Sequence, residues 1–382
     1  MPRPVDSHTS YVPAIDGLRT IAVLSVVAYH LDPAWLPGGY LGVGMFFTLS
    51  GYLITANLMR SHLRGKGLGL PTFWLRRFRR LVPAVVLMLV AVVLLTIFFD
   101  LPKLGETSGH ALSALFYVNN WHVILEGQSY FDRFAGHAPL DHMWSLSVEE
   151  HFYLVWPPLL VVLARFTPRG ALWRPVLGLL VLAWAWRVLW VAQGQQFYEI
   201  FFRFDTRATG LLAGSLLATL LHEQPAWFQA LRQRLHHFMW VVLAVPLLMA
   251  QSWDDMNAML WGMTVVECAA LVVLLAVQQH RGALHQMLSA PALMLVGKLS
   301  YGIYLWHYPV VRYLRADLPW PAVVVLGFLI SAALAALSYY TVERWAMRWR
   351  DARPAQRKPA PVRTARPAAA RGSLALSARS ER

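Results

Sequence analysis

Apolar stretches of near-spanning length recur from one end of this chain to the other, separated by short polar connections, and that rhythm constrains the fold more than any motif. Ten stand out: Ala14 to His30, Leu41 to Met59, Leu81 to Phe99, Leu146 to Ala164, Val176 to Ala192, Ala208 to Leu221, Phe238 to Ala250, Ala258 to Val277, Leu299 to Leu314 and Ala322 to Thr341. In hydrocarbon a backbone must satisfy its own polar groups, which a helix does within one segment. Composition agrees: the 382 residues are 57% hydrophobic and 14% charged, against about 45–50% and 25% for soluble domains. The expected fold class is therefore all-α, a polytopic membrane protein of about ten transmembrane helices. Several stretches, the sixth and seventh above all, are shorter than the roughly 20 residues of a perpendicular span, so tilt or local thinning makes up the length. The segment His110 to His122 is only moderately apolar, and Asn119 and Asn120 point to a re-entrant or surface helix.

Lys and Arg favour cytoplasmic loops, and their distribution sets the expected orientation. With the N-terminus inside, 26 of the 34 fall on the inner side and six on the outer, with Arg19 and Arg187 inside spans. An odd number of spans would lose this asymmetry, so both termini are expected in the cytoplasm. The expected division is a short cytoplasmic N-terminus (1–13), a membrane domain (14–345) and a basic, disordered cytoplasmic tail (346–382). The net charge of +14 is concentrated in that tail, which suits anionic lipid head groups and excludes a folded nucleic-acid module. Cys268 lies in an apolar run without a disulfide partner and reads as a buried small hydrophobe. The first run continues into Tyr29, His30 and Pro33 and reads as a retained helix, not a cleaved signal.

Ionisable groups inside spans are costly and mark function or partnered bridges. Arg19 and His30 are eleven residues apart, which on a helix is within roughly 20° of one face and about 16 Å along the axis. Arg19 then sits near the cytoplasmic end and His30 near the outer face. The plainer alternative is an Asp16–Arg19 bridge at the helix start and an interfacial histidine. A second cluster, His142 to Tyr153, brings Glu149, Glu150 and His151 to the start of the fourth stretch. Adjacent carboxylates diverge by about 100°, so Glu149 and Glu150 are not equivalent. An acidic helix start favoured by the macrodipole is the bland alternative. A third is the run Arg76-Arg77-Phe78-Arg79-Arg80, either a positive-inside anchor or a bidentate phosphate clamp.

Together these segments resemble the acyltransferase 3 family of bacterial membrane acyltransferases in its standalone form, over residues 11–345. The resemblance rests on an ordered set: Ile15-Asp-Gly-Leu-Arg19 with His30 eleven residues later, Gly42-Val-Gly-Met-Phe-Phe-Thr-Leu-Ser50-Gly51-Tyr-Leu-Ile54, the basic run through Pro83, Trp144-Ser-Leu-Ser-Val-Glu149, and Ser300-Tyr-Gly-Ile-Tyr-Leu-Trp-His307-Tyr-Pro309. It implies a multi-pass protein of the bacterial cytoplasmic membrane that transfers an acyl group, commonly acetyl, from cytosolic acyl-CoA. The implied acceptor is a hydroxyl on an extracytoplasmic or lipid-linked glycan, or a small secondary metabolite. His30 is the expected general base, or the carrier of a transient acyl group, with Glu149 orienting its imidazole and Arg19 guiding the donor. Arg76, Arg77, Arg79 and Arg80 are expected to hold the CoA phosphates. Secondary candidates are His142, Glu150, Ser50, Arg207, Tyr301 and His307, and no metal is expected. Three positions depart from the family pattern: Gly44 and Thr209 stand where many members carry Asp, and Trp345 replaces a usual proline. The competing class is a proton-coupled transporter or acyl carrier using Arg19, His30, Arg187, Glu149, Glu150 and Glu267, although no inverted repeat is visible.

Overall fold

The structure, a computed structural model, describes residues 11–63, 69–127, 138–235, 255–278 and 282–348. The seventh expected stretch and the tail beyond residue 348 lie outside the described residues. Nine of the ten stretches fall in helices, and no strand occurs among the described residues.

The helices are α1 (Pro13–Leu31), α2 (Gly42–Leu63), α3 (Leu70–Phe99), α4 (Leu104–Leu115), α5 (Asn119–Leu125), α6 (Met143–Phe166), α7 (Trp173–Ala192), α8 (Phe197–Phe202), α9 (Phe204–Glu223) and α10 (Ala226–Leu235). After a π-helical turn, Ala258–Gly262, come α11 (Met263–Val277), α12 (Ala283–Leu288), α13 (Pro291–Asp317) and α14 (Trp320–Ser338). A second π-turn, Tyr339–Glu343, leads into α15 (Arg344–Arg348). Proline opens α1, α3, α13 and α14, where the missing N–H removes nothing a helix needs.

By length and composition, seven described segments qualify to cross a membrane: α1, Gly39–Ser61, α3, α6, α7, Ala258–Val277 and Trp320–Arg348. The chain is a multi-pass membrane protein. The expected sixth and ninth stretches lie on α9 and α13, which are long enough but too polar to qualify, carrying Arg207 and Thr209 on one and His307 and Arg312 on the other. The bulk of α7 and the apolar flanks of α3 and α14 are exposed, including Phe98, Phe99, Leu182 and Leu329, as lipid-facing surface requires.

Two expectations are corrected. The segment His110 to His122, expected as a re-entrant or surface helix, is not one helix but parts of two short ones, α4 and α5, broken where Tyr117 takes a positive φ of 55°. Asn119 and Asn120 are fully buried: the Asn119 N–H donates to Ser147 Oγ (3.1 Å) and Asn120 Nδ2 to the Phe202 carbonyl (3.2 Å). Cys268 is exposed, not buried. Its neighbour Glu267 faces the interior, and a step of 100° along α11 turns the thiol outward.

The core sits where α9 packs on α2 and α7, and α13 packs on α1 and α14. Between α2 and α9 the backbones touch: a Cβ added at Gly51 would overlap the Leu211 carbonyl, and one at Gly214 the Thr48 carbonyl. Small residues do this between helices in lipid, where close packing replaces the hydrophobic effect as the source of association. A relay of hydroxyls seals the same seam, with Trp156 Nε1 donating to Thr55 Oγ1 (2.8 Å) and Thr55 Oγ1 to Ser215 Oγ (2.9 Å). Overpacking costs about 1–3 kcal/mol, so Gly214→Val is expected to lower the melting point of the detergent-solubilised protein in a fluorescence size-exclusion assay. Gly178→Ala, with open space around it, is expected to leave it unchanged.

Candidate active site

Pro309 lies inside α13 and has no N–H, so the carbonyl four residues earlier, on Leu305, loses its helical donor. His142, at the N-cap of α6, fills that role: its Nε2 donates to the Leu305 carbonyl at 3.1 Å. Tyr304 OH returns a bond to the His142 carbonyl (3.0 Å) and also meets Ser145 Oγ. One proline thus fixes the start of α6 against the middle of α13. With Nε2 as donor, the His142 lone pair is on Nδ1, a buried atom without a hydrogen-bond partner among the described residues.

His307, two residues before the proline, is aimed by its own helix. Its Nδ1 lies 2.7 Å from the Tyr304 carbonyl and 3.2 Å from that of Ile303. Carbonyls only accept, so Nδ1 carries the hydrogen, and in the neutral ring Nε2 holds the lone pair. His30 Nδ1 is 2.9 Å from that Nε2 and is therefore the donor. The basic nitrogen of His30 is then Nε2. Tyr308 stands between the imidazoles, edge-on to His30 (4.9 Å between centroids) and stacked on His142 (5.1 Å). His30, His142 and His307 are 2%, 0% and 0% exposed, so bulk water does not dilute their interactions. Arg312 Nη2 donates to Tyr308 OH at 2.7 Å, placing a cation beside this trio.

The structure brings His30 together with His307, not with Glu149. α6 runs antiparallel to α1, and Glu149 lies seven residues, about 10 Å, beyond His142. There it accepts from Ser50 Oγ and Tyr153 OH, and its negative charge favours the Arg19 cation, which the positive charge of Arg80 opposes. Glu150 points elsewhere, as the 100° step requires, and pairs with Arg77 Nε at 3.1 Å; the Arg77 guanidinium also covers the Tyr153 ring. Of the four clustered arginines, Arg77 faces this interior cluster, Arg79 is half-buried, and Arg76 and Arg80 are exposed. They do not sit in a loop: α3 starts at Leu70, so the run occupies its early turns. Arg19 keeps the plainer contact as well, at 3.8 Å from Asp16, which also accepts from Tyr11 OH. Tyr301 OH donates to the Leu81 carbonyl (3.1 Å), tying α13 to α3 and leaving Tyr301 outside the histidine trio.

Deep between α7, α9 and α11, Arg187 is fully buried. It donates to Thr209 Oγ1 (3.0 Å) and Thr264 Oγ1 (2.6 Å) and lies 3.8 Å from Glu267, while Thr209 Oγ1 donates to Glu267 Oε1 (3.0 Å). A Cβ at Gly44 would sit 3.9 Å from Glu267 Cγ. Gly44 and Thr209, where the resemblance leads one to expect aspartate, therefore border one carboxylate contributed by another helix. Beside it, buried Arg207 is walled by Phe47, Trp144 and Phe201 at 5.4, 5.4 and 4.8 Å from the ring centroids. Sequence reasoning missed Tyr304, Tyr308 and Arg312; the proline at 309 was the available signal for the first, because it creates the acceptor that brings α6 to Tyr304.

Residues 12–340 match a family model described as acyltransferase domain. The chain belongs to this acyltransferase 3 family. It is 36% identical over 317 residues to the peptidoglycan O-acetyltransferase OatA of Listeria monocytogenes, covering 81% of this chain and 51% of that protein. To the O-acetyltransferase OatA of Staphylococcus aureus it is 34% identical over 350 residues, covering 87% and 57%. The chain thus spans about half the length of the curated relatives it matches. No solved structure matches it.

Removing one partner of a buried ion pair costs about 3–5 kcal/mol. Glu267→Leu is therefore expected to lower the melting point sharply, and the double variant Arg187→Met/Glu267→Leu to recover much of the loss, measured by thermal unfolding in detergent.

Proposed function

We propose that this chain is an O-acyltransferase of the bacterial inner membrane that moves an acyl group, acetyl first among donors, from cytosolic acyl-CoA to a hydroxyl of an extracytoplasmic glycan. Peptidoglycan is the acceptor to test first, since it is named for the Listeria relative. The observation that carries this reading is the His30–His307 pair, a buried base on the helix whose other end carries Arg19.

The acceptor hydroxyl loses its proton to His30 Nε2 as its oxygen attacks the thioester carbonyl. As the C–O bond forms and the C–S bond breaks, the same nitrogen returns the proton to the departing thiolate of CoA, so charge and protons balance. While His30 is cationic, its Nδ1–H bond to His307 Nε2 spreads and steadies the charge, and the Tyr304 carbonyl keeps His307 in the accepting tautomer. His307 thus takes the orienting role, and Glu149 serves lower in the bundle, with Ser50 and Tyr153, along the donor's route. Arg76, Arg79 and Arg80 meet the anionic end of CoA at the inner face, while Arg77 stays with Glu150. Arg19 sits between these levels, suited to guide the donor arm along α1. Arg312, beside Tyr308, faces the acceptor side. Both termini are cytoplasmic in this arrangement, and the basic tail rests on anionic lipid.

General-base catalysis contributes about 10²–10⁴-fold. In proteoliposomes given labelled acetyl-CoA and soluble glycan strands, the wild-type protein is expected to yield free CoA and an O-acetylated product by mass spectrometry. His30→Ala is expected to fall by at least about a hundredfold. His307→Ala is expected to lose less, with an altered pH profile for kcat. A normally folded His30→Ala protein with wild-type transfer sinks the proposal.

A further inference from the structure

Outside the histidine trio, α4 and α5 bring a second set of ligating groups together. His110 Nε2 lies 3.1 Å from Glu126 Oε1, and His122 Nε2 lies 3.3 Å from the same oxygen. One ligand atom from each of the three residues fits within 4.8 Å of the others. The two imidazoles meet edge to face with centroids 4.6 Å apart. Behind His110, on its Nδ1 side, Asn119 Nδ2 lies at 3.5 Å and Asp141 Oδ1 at 3.7 Å.

Ligand atoms about 2.0–2.1 Å from a tetrahedral zinc ion are about 3.3 Å from one another. The two His–Glu separations, 3.1 and 3.3 Å, are of that size. We propose that His110, His122 and Glu126 form a binding site for a divalent first-row transition ion of the Zn²⁺ type, with Asp141 as the outer carboxylate facing His110. Two imidazoles and one carboxylate are a donor set that such ions take, and three protein ligands leave a coordination position for water or another oxygen donor.

Burial is graded in the way a site of this kind needs. His110 is 1% exposed at its side chain, while His122 and Glu126 are 32% and 30% exposed. The inner ligand is held in the protein, and the outer two leave an entry path. His122 and Glu126 are four residues apart at the end of α5 and face one side. His110 comes from α4, across the turn in which Tyr117 has its positive φ. On loading, each ligating Nε2 gives its lone pair to the ion, which places the hydrogen of His110 on Nδ1. Asp141 is then the acceptor on that side, a carboxylate–histidine–metal arrangement.

The ion clasps α4 to α5, and its outer carboxylate belongs to the residue next to His142. The clasp is therefore linked by one peptide bond to the residue that seats α6 on α13.

Without an ion, the same three groups form a hydrogen-bonded clasp in which Glu126 accepts from both imidazoles. Titration of Co²⁺, a visible-spectrum substitute for Zn²⁺, distinguishes the two. Full-length protein purified on a histidine-free tag and stripped with chelator is expected to bind one equivalent of Co²⁺ with the intense bands of a low-coordinate site, displaced by Zn²⁺. His122→Ala and Glu126→Gln, changes at partly exposed positions, are expected to abolish those bands while keeping the size-exclusion profile. Asp141→Asn is expected to retain them with affinity weakened about 10–100-fold. Failure of the wild type to develop the bands, or their persistence unchanged in both His122→Ala and Glu126→Gln, overturns the proposal.

Discussion

A backbone carbonyl released by proline inside a helix cannot turn to water in the hydrocarbon region, and leaving it unsatisfied costs several kcal/mol. The bundle depends on answering that demand from another helix. The Leu305 carbonyl, released by Pro309, receives His142; the Tyr153 carbonyl, released by Pro157, receives Trp74 Nε1 at 2.8 Å. One contact locks α6 to α13 and the other locks α3 to α6. Each uses a directional bond where apolar packing alone would allow sliding. The catalytic candidates lie beside these locks: His307 and Tyr304 beside the first, Tyr153 with Glu149 and Arg77 beside the second.

The antiparallel course of α1 and α6 sorts the polar groups by level. Arg19 and Glu149 lie toward one end and His30 and His142 toward the other, so Glu149 and Glu150 stay with Arg19 and Arg77 while His30, His142 and His307 stay with one another. This separation has a chemical consequence. A neutral histidine beside a second neutral histidine, whose tautomer is fixed by a backbone carbonyl, presents a base without a permanent charge.

The helices were legible because lipid leaves the backbone few choices: wherever an apolar run was read among the described residues, a helix stands. Single positions were less so. Cys268 and Glu267 are neighbours in an apolar run, and only the azimuth of α11 decides which faces inward. Asn119 and Asn120 pointed to a re-entrant or surface helix because their acceptors, Ser147 Oγ and the Phe202 carbonyl, come from segments 28 and 82 residues away. The ordered motifs named His30 as the expected base and His307 as a secondary candidate but gave no partnership between them, since 277 residues separate the two rings. His110 escaped notice for the same reason: its companions are on the next helix, across a turn whose geometry sequence does not announce.

Gly44 and Thr209 show how neighbouring helices accommodate a buried carboxylate. Gly44 opens the space beside Glu267 Cγ, and Thr209 supplies the hydroxyl that both accepts from Arg187 and donates to Glu267. An aspartate at either position would place a second anion against Glu267 with Arg187 as the shared counter-ion. Like charges at that range in a low-dielectric interior do not both ionise. The lack of a carboxylate at positions 44 and 209 and the presence of Glu267 are therefore parts of one arrangement. The packing of α2, α9 and α11 places one carboxylate at this seam, and Glu267 supplies it.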